Sequence, residues 1–223
     1  MTTRPLGAAD APAFRALRIR ALRDHPEAFG RTPEEVDAVE ALAARFAQDA
    51  GSEAEVMLGA FDGPALVGVA GCHREPHIKH RHVAYIWGVY VAPERRGMGL
   101  GRRLVTAAIG HARGWRGLEY LWLDVTTTNE AARALYASLG FVTVAVKPRS
   151  LKVGDRYYDE ALMVLDLAAA RDDRPTTADA VGLDTSAATS PVRAWDPGAS
   201  RARRRAAVTS GRAGRGKRRG RGR

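Results

Sequence analysis

A glycine-rich turn is the segment of this sequence that is best suited to bind a charged ligand. The run Arg95-Arg96-Gly97-Met98-Gly99-Leu100-Gly101 follows a β-branched apolar segment and precedes residues with helical spacing. The first N–H groups of a helix lack partners within the helix and lie at the positive end of its dipole, so they can bind an anion. The glycines allow a sharp turn and a close approach of anionic oxygens, while Arg96 and Arg102 add positive charge. The turn therefore predicts a phosphate or pyrophosphate site.

Other interpretations of this turn lead to different functions. A tight strand-to-helix connection would need no ligand at all. A Rossmann dinucleotide site requires G-x-G-x-x-G early in a βαβ unit, with an acid about 20 residues later. Here the spacing is G-x-G-x-G, in the middle of the chain and after a predicted hairpin. A Walker loop requires Gly-Lys-Ser/Thr, which this turn lacks. The turn alone is thus also consistent with a strand-to-helix connection that binds no ligand.

The elements around the turn are predicted from periodicity and turn residues, in the order α-α-β-β-β-α-β-α-β-β. Helices are expected at about 10–23 (with Phe14, Leu17, Ile19 and Leu22 on its apolar side), 33–48, 99–114 and 129–140. Strands are expected in a hairpin around Asp62-Gly63-Pro64, at 82–93, at 117–128, and at 141–148 and 157–167 around Gly154-Asp155. Gly88 indicates a bulge or a close backbone approach in its strand. Asn129 is expected to cap the last helix and Gly140 to end it.

Two of these segments, in the right order, resemble the GNAT N-acetyltransferase superfamily, and the resemblance covers about residues 3–167. Its pyrophosphate motif, Gln/Arg-x-x-Gly-x-Gly/Ala, matches Arg96 to Gly101. About 30 residues later, Asn129 to Tyr136, followed by Gly140-Phe141, is similar to its second cofactor motif. The resemblance implies an α/β (α+β) fold, with a central mixed, mostly antiparallel sheet of about six to seven strands flanked by about four helices.

The resemblance also implies an activity. It implies transfer of the acetyl group of acetyl-CoA to a primary amine of a small molecule, peptide or protein, by direct attack in a ternary complex. Backbone groups of Val89 and Val91 would pair with the pantetheine arm, and an N–H near Val89 or Tyr90 would polarise the thioester carbonyl. The implied cofactor-binding residues are Val89, Tyr90, Val91, Arg96, Gly97, Met98, Gly99, Leu100, Gly101, Arg102 and Asn129. Tyr136 matches the family's general acid, although a tyrosine here could simply pack at the edge of the core.

The base that takes the amine proton has no obvious candidate. Many members of the superfamily have a glutamate on the fourth strand, but residues 82–87 of this chain contain none. Glu27, in a loop that resembles the family's substrate side, is the candidate that we carry forward. His82, Asp124 and a chain of water molecules stay open as alternatives. Tyr85 and Trp87 share one face of their strand, where they would wall the acceptor pocket or pack in the core.

The remaining histidines and the single cysteine predict no further chemistry. His73, His77, His80 and His82 lie in a polar stretch without zinc-ligand spacing, so we expect a solvated loop and no metal. Cys72 lies in an apolar, glycine-rich run without an activating base and is expected to be an inert strand residue.

The net charge of +10 is concentrated near the C-terminus. Residues 171–223 contain 14 Lys and Arg against 5 Asp, whereas residues 1–170 contain 21 against 20 acids. Residues 168–198 lack periodicity, and residues 199–223 contain 11 Lys and Arg and no acid. Such composition cannot bury enough apolar surface to offset chain entropy. We therefore expect a GNAT domain at 1–167, a disordered linker at 168–198 and a disordered Arg/Gly-rich basic tail at 199–223.

This tail supports a second hypothesis from another functional class. Clustered arginines attract phosphate backbones by counterion release, so the tail could bind RNA or other nucleic acid weakly and without sequence specificity. The protein would then be a nucleic-acid-associated binding protein with an accessory or degenerate acetyltransferase body. A solvated extension without a partner is the simpler alternative.

Composition narrows the location of the protein. No stretch reaches the roughly 18 apolar residues that a membrane span needs, and the N-terminus lacks the apolar core of a secretion signal. One cysteine cannot form an intramolecular disulfide, so a cytoplasmic protein is expected. Because homodimers are common in the superfamily, the resemblance also implies that this protein forms a homodimer.

Overall fold

A computed structural model describes residues 1–167, which build one central sheet with helices on both faces. The strands β1 to β7 are Thr2–Pro5, Glu55–Asp62, Ala65–Arg74, Val83–Val91, Tyr120–Thr126, Val142–Val153 and Arg156–Asp166. The helices α1 to α4 are Ala11–Asp24, Val39–Gln48, Leu100–Arg113 and Glu130–Ala137. The linker and basic tail predicted at 168–198 and 199–223, and with them any nucleic-acid contact, lie outside the described residues.

The sheet order is β1-β2-β3-β4-β5-β7-β6. All neighbouring strands are antiparallel except β4 and β5, which run parallel. The predicted α/β (α+β) fold, with a mixed, mostly antiparallel sheet and four helices, is therefore confirmed.

The two faces of the sheet bury separate cores because the side chains of a strand alternate between its faces. On β2, Leu58 packs in the core covered by α3, whereas the neighbouring Met57 packs in the core covered by α1 and α2. Leu104 of α3 and Phe14 of α1 are each 2% exposed or less. The sheet is thus held between two helical layers, which fixes the positions of its strand ends.

A bulge interrupts the pairing of β3 with β4 at the position that Gly88 predicts. Val69 pairs with Tyr90 and Gly71 pairs with Trp87, so β4 has one more residue than β3 between these pairs. Gly88 has φ +65°, a conformation that a residue with a Cβ adopts only with strain. The prediction of a bulge is confirmed.

Several predicted boundaries are wrong. β1 was missed because a four-residue edge strand, Thr2–Pro5, shows no apolar alternation. The second helix begins at Val39, not at 33: residues 33–35 form a separate 3₁₀ turn, in which Glu35 Oε2 accepts a hydrogen bond from Thr32 N–H at 2.7 Å, and Val36 is then extended. β6 continues past the expected end at 148 to Val153.

The buried face of α1 also differs from the expectation. Phe14, Leu17 and Leu22 are buried as predicted, but Ile19 is only half-buried and Arg18 is buried in its place. The reason lies in two aromatic side chains distant in sequence, which are described below.

A search of the described helices finds none that is long and apolar enough to cross a membrane.

Candidate active site

The glycine-rich turn precedes α3, and two of its glycines adopt the left-handed backbone conformation. Gly97 has φ +76° and Gly99, the N-cap residue, has φ +74°, and a Cβ built on either would meet nothing within 4 Å. The backbone is therefore open to a ligand on this side, and the first N–H groups of α3, from Leu100 onward, lack helical partners. Arg95 is engaged with Asp62, since its Nη2 lies 2.9 Å from Asp62 Oδ2.

Two other arginines border the turn. Arg96 Nε donates to the carbonyl of Val91 at 3.0 Å, and its Nη2 lies 2.9 Å from His25 Nε2. Arg102 Nη2 donates to Ser138 Oγ at 2.7 Å. Both side chains are exposed, so their guanidinium groups can still take part in binding an anion.

The turn borders a cleft of about 630 Å³, here called the turn cleft. Ten of the predicted cofactor-binding residues line it: Val89, Tyr90, Val91, Arg96, Gly97, Gly99, Leu100, Gly101, Arg102 and Asn129. Met98 is not among the lining residues, and it is 55% exposed. Residues from three separated parts of the chain thus meet around one cleft.

Beyond the turn cleft, β4 and β5 separate. They pair only at Val83–Tyr120, Ala84–Leu121 and Tyr85–Trp122. The Gly88 bulge follows these pairs on β4, and a cavity of about 120 Å³ lies between the strands, here called the gap cavity. It is lined on one side by Trp87 and Val89 and on the other by Asp124 and Thr126.

Tyr136 of α4 closes one side of the gap cavity. It is 7% exposed, its ring packs edge-on against Phe141 at 6.0 Å between centroids, and burial raises the pKa of its phenol to about 12. Asn129 lines both the gap cavity and the turn cleft, and its Oδ1 accepts a hydrogen bond from Ala132 N–H at 3.2 Å. The predicted N-cap role of Asn129 is confirmed, and the phenol stays protonated throughout the physiological pH range.

On the other side of the gap cavity lies a pocket of about 440 Å³, here called the aromatic pocket. Tyr85, Trp87, Phe29 and Phe14 contribute to its wall, and Arg18, Arg31, Arg45, Asp37, Glu55, Asp124 and Glu160 also line it. Tyr85 and Trp87 are half-buried and line this pocket, and Trp87 also packs against the core under α1 and α2. The gap cavity shares lining residues with both neighbours, so the three cavities are adjacent. Their succession from the turn cleft to the aromatic pocket is here called the path.

The three candidates for the base, Glu27, Asp124 and His82, differ in where they lie relative to this path. Glu27 lines the turn cleft, and its Oε1 lies 3.4 Å from His25 Nδ1. Asp124 lines both the gap cavity and the aromatic pocket, and its Oδ2 lies 2.7 Å from Lys147 Nζ. His82 lines none of the three and packs edge-on against Tyr120. Of the three candidates, Asp124 lies where the two sides of the path meet.

The expectation of a solvated loop is wrong for His73. It lies on β3, is half-buried, stacks on Tyr85 at 5.5 Å between ring centroids, and lines the aromatic pocket. Burial lowers the pKa of its imidazole. In residues 1–167 no three His, Cys, Asp or Glu side chains are grouped to hold a metal ion. Cys72 is fully buried in β3, and burial raises the pKa of its thiol to about 12, which makes it a poor nucleophile.

Comparison with known proteins decides the family of this site. The family model of the Acetyltransferase (GNAT) family matches residues 16–141. The chain belongs to this family. The match extends from α1 through the glycine-rich turn to Phe141, so it includes all residues that line the turn cleft and the gap cavity, and all that line the aromatic pocket except Phe14 and Glu160.

Curated members of the GNAT family are similar over the same region. The chain is 35% identical over 134 residues to a mycothiol acetyltransferase of Thermobispora bispora, covering 59% of this chain and 43% of that protein. It is 36% identical over 113 residues to the N-alpha-acetyltransferase RimI of Mycobacterium tuberculosis, covering 49% of this chain and 66% of that protein. This GNAT chain therefore spans less than two thirds of the length of these relatives.

Among solved GNAT structures, that of yncA from Salmonella typhimurium with its cofactor acetyl-CoA superposes with a TM-score of 0.67. The two are 26% identical, and the match covers 75% of this chain and 94% of that one.

Among the residues that line the aromatic pocket of this GNAT chain, sequence reasoning missed Arg18 and His73. Arg18 follows Leu17 on an amphipathic helix and looks like a surface residue, while His73 is followed by a polar stretch. A signal for His73 was available, because it directly follows the apolar run of β3, and alternation along a strand places its side chain on the same face as that of Val69. None was available for Arg18, because the rings that cover it come from other elements.

Proposed function

We propose that this GNAT-family chain transfers the acetyl group of acetyl-CoA to a primary amine. The observation that carries the proposal is the separation of β4 from β5 after Tyr85 and Trp122, which leaves the gap cavity between the turn cleft and the aromatic pocket. A donor held in the turn cleft can therefore meet an acceptor held in the aromatic pocket without either one leaving its site.

The residues of the turn cleft fit the charged part of such a donor. The open backbone at Gly97 and Gly99, the N-terminus of α3 and the exposed Arg96 and Arg102 together suit a pyrophosphate. The half-buried Val89 and Val91 supply backbone groups on the β4 edge, which β5 does not pair there. When bound, acetyl-CoA supplies an acetyl thioester, which an amine converts into an amide and a free thiol.

Tyr136 is the proton donor in this proposal. Its phenol borders the gap cavity and is protonated at neutral pH, since burial raises its pKa to about 12. It gives its proton to the departing sulfur and regains one from solvent, which lowers the cost of expelling a thiolate. The N–H groups around the Gly88 bulge would stabilise the charge that develops on the carbonyl oxygen.

Asp124 receives the amine in this proposal. Its carboxylate lies at the junction of the gap cavity and the aromatic pocket, so it attracts an ammonium group and accepts a proton from it on the way to solvent. Tyr85 and Trp87 form the apolar wall against which the rest of the acceptor packs. Glu27, the candidate from sequence, lies on the donor side instead and is the alternative to test.

The proposal is tested by measuring thiol release from acetyl-CoA with a panel of small amines, peptides and lysine-containing proteins. We expect amine-dependent release with at least one class. Asp124→Asn should lower kcat/KM for the best amine about 100-fold or more, whereas Glu27→Gln should change it less than about 2-fold. The control is Glu119→Gln, at an exposed position that lines none of the three cavities, and it should behave as the wild type. A loss confined to Glu27→Gln would transfer the base role to Glu27, and binding of acetyl-CoA without turnover for any amine would refute the transferase proposal.

A further inference from the structure

Arg18 is a buried cation without a counterion. It is 7% exposed, and its Nη1 has no hydrogen-bond partner among residues 1–167. Its guanidinium lies over the ring of Phe29 at 4.5 Å and near that of Trp87 at 5.9 Å, which compensates only part of the lost hydration. Burial, with a smaller contribution from Arg31, lowers the pKa of Arg18 to about 10, so the group is still charged at neutral pH. A buried, unpaired guanidinium is unfavourable unless an anion binds it.

The position of this cation places such an anion beside the reacting centre. Arg18 lines the aromatic pocket, and its Nη1 is 3.5 Å from the point where a Cβ on Gly88 would lie. Gly88 is the bulge residue of β4, three positions after the last pair with β5, and it lines both the aromatic pocket and the gap cavity. A group bound to Arg18 is therefore next to the path along which an acceptor amine approaches the donor.

The aromatic pocket contains further charges of both signs. Arg31 is a second cation on its wall, and Arg45 is occupied, with its Nη1 3.4 Å from Asp37 Oδ2. Asp124 and Glu160 are both shared with Lys147 of β6, at 2.7 Å and 3.6 Å. Within the described residues, no acid forms an ion pair with Arg18. The pocket thus offers carboxylates, Asp124 and Glu160, that suit an ammonium group, and the buried guanidinium of Arg18, without an ion pair within residues 1–167, that suits a carboxylate.

We infer that the acceptor is a small amine with a carboxylate next to its amino group, the arrangement of a free α-amino acid, and that Arg18 binds this carboxylate. The inference rests on the proposed function and adds a substrate class to it. A guanidinium and a carboxylate match as bidentate partners, and the volume of about 440 Å³ accommodates a single amino acid. A peptide N-terminus carries an amide at that position and would leave Arg18 unpaired.

The first test compares amino acids with their decarboxylated amines and their amides, using full-length protein and saturating acetyl-CoA. For the amino acid with the highest activity, we expect kcat/KM to be about 10-fold to 100-fold higher than for its decarboxylated amine or its amide. The reason is that only the carboxylate forms a charge-assisted pair with Arg18. Equal values for the three compounds, or a preference for the amide, would overturn the inference while leaving the acetyltransferase proposal intact.

The second test uses variants. Arg18→Gln should raise KM for the amino acid about 10-fold or more and leave the decarboxylated amine nearly unchanged, whereas Arg18→Lys should restore part of the preference. Arg23→Gln, on the exposed side of the same helix, is the matched control and should behave as the wild type. An equal fall of kcat for both compounds would instead assign Arg18 to the developing oxyanion and overturn carboxylate recognition.

A readout without turnover separates this inference from the proposed function. Isothermal titration of the preferred amino acid into protein without acetyl-CoA should show binding that the decarboxylated amine lacks. This comparison needs only the wild-type protein, so it can be made even if Arg18→Gln does not fold. Absence of a difference in affinity between the two would refute the inference. Failure of acetyl-CoA to bind would refute the proposed function separately.

Discussion

The hydroxyl of Thr126 donates a hydrogen bond to the backbone carbonyl of Glu27 at 2.7 Å, across 99 positions of sequence. Thr126 is the last residue of β5 and is 3% exposed, while Glu27 lies in the loop after α1. This bond fixes the loop that carries Ala28 and Phe29 across the gap cavity, and both of these residues line all three cavities. One hydrogen bond therefore holds the loop where the donor and acceptor sides meet.

Thr126→Val removes this donor and leaves the Glu27 carbonyl without its partner. We expect a loss of about 1 kcal/mol in the free energy of unfolding and a higher KM for the amine, because the loop that carries Phe29 is no longer fixed. Urea denaturation and steady-state kinetics measure the two effects. Thr143→Val on the exposed surface of β6 is the control. A variant with wild-type stability and KM would show that the loop is positioned by other contacts.

Gly88→Ala should disturb the gap itself. An alanine at φ +65° costs about 1–2 kcal/mol, and β4 can relieve this strain only by changing the bulge that separates it from β5. We expect lower stability together with weaker transfer activity. Gly110→Ala, in α3 with no atom within 4 Å of the new Cβ, should stabilise the protein by up to about 1 kcal/mol and leave activity unchanged. Full activity in Gly88→Ala would mean that the bulge is not needed for the reaction.

Tyr136→Phe removes the phenolic proton but keeps the ring that packs against Phe141. We expect kcat to fall about 10-fold to 100-fold while the affinity for acetyl-CoA stays nearly the same, because only the proton transfer is lost. Tyr157→Phe, on the exposed part of β7, is the control. An unchanged kcat in Tyr136→Phe would remove this residue from the mechanism.

The same substitution should change the stability of the protein in alkaline solution. Burial raises the pKa of Tyr136 to about 12, while the phenol titrates near 10 in the unfolded chain. The neutral form is therefore favoured by folding, and its contribution is complete below about pH 10 and is lost as the pH rises towards 12. Between about pH 8 and about pH 10.5, the free energy of unfolding should fall less in Tyr136→Phe than in the wild type, as measured by urea denaturation at both pH values. An equal loss would indicate that this phenol is accessible to hydroxide.

The residues that could be predicted from sequence are those whose role depends on neighbours along the chain. The conformations of Gly97 and Gly99, the cap at Asn129 and the bulge at Gly88 follow from local turn and capping chemistry. The start of α2 could not be fixed in this way, because the capping pair of Thr32 and Glu35 stabilises one turn equally well whether or not a helix continues from it.

The residues that could not be predicted depend on contacts between distant elements. Arg18 is buried by Phe29 and by Trp87, 69 positions later, and a helical period read from α1 alone contains no information about either ring. The same is true of Asp124, whose position between two cavities arises from the divergence of β4 and β5 and not from its neighbours on β5.

The central claim, that the turn cleft and the gap cavity hold acetyl-CoA, is tested most directly by isothermal titration of acetyl-CoA into the full-length protein. We predict saturable binding at one site per chain, weakened about 10-fold or more when Arg96 and Arg102 are both replaced by alanine. Arg103→Ala, an exposed neighbour on α3, should bind as the wild type does. Absence of binding by the wild type at millimolar acetyl-CoA would contradict the claim.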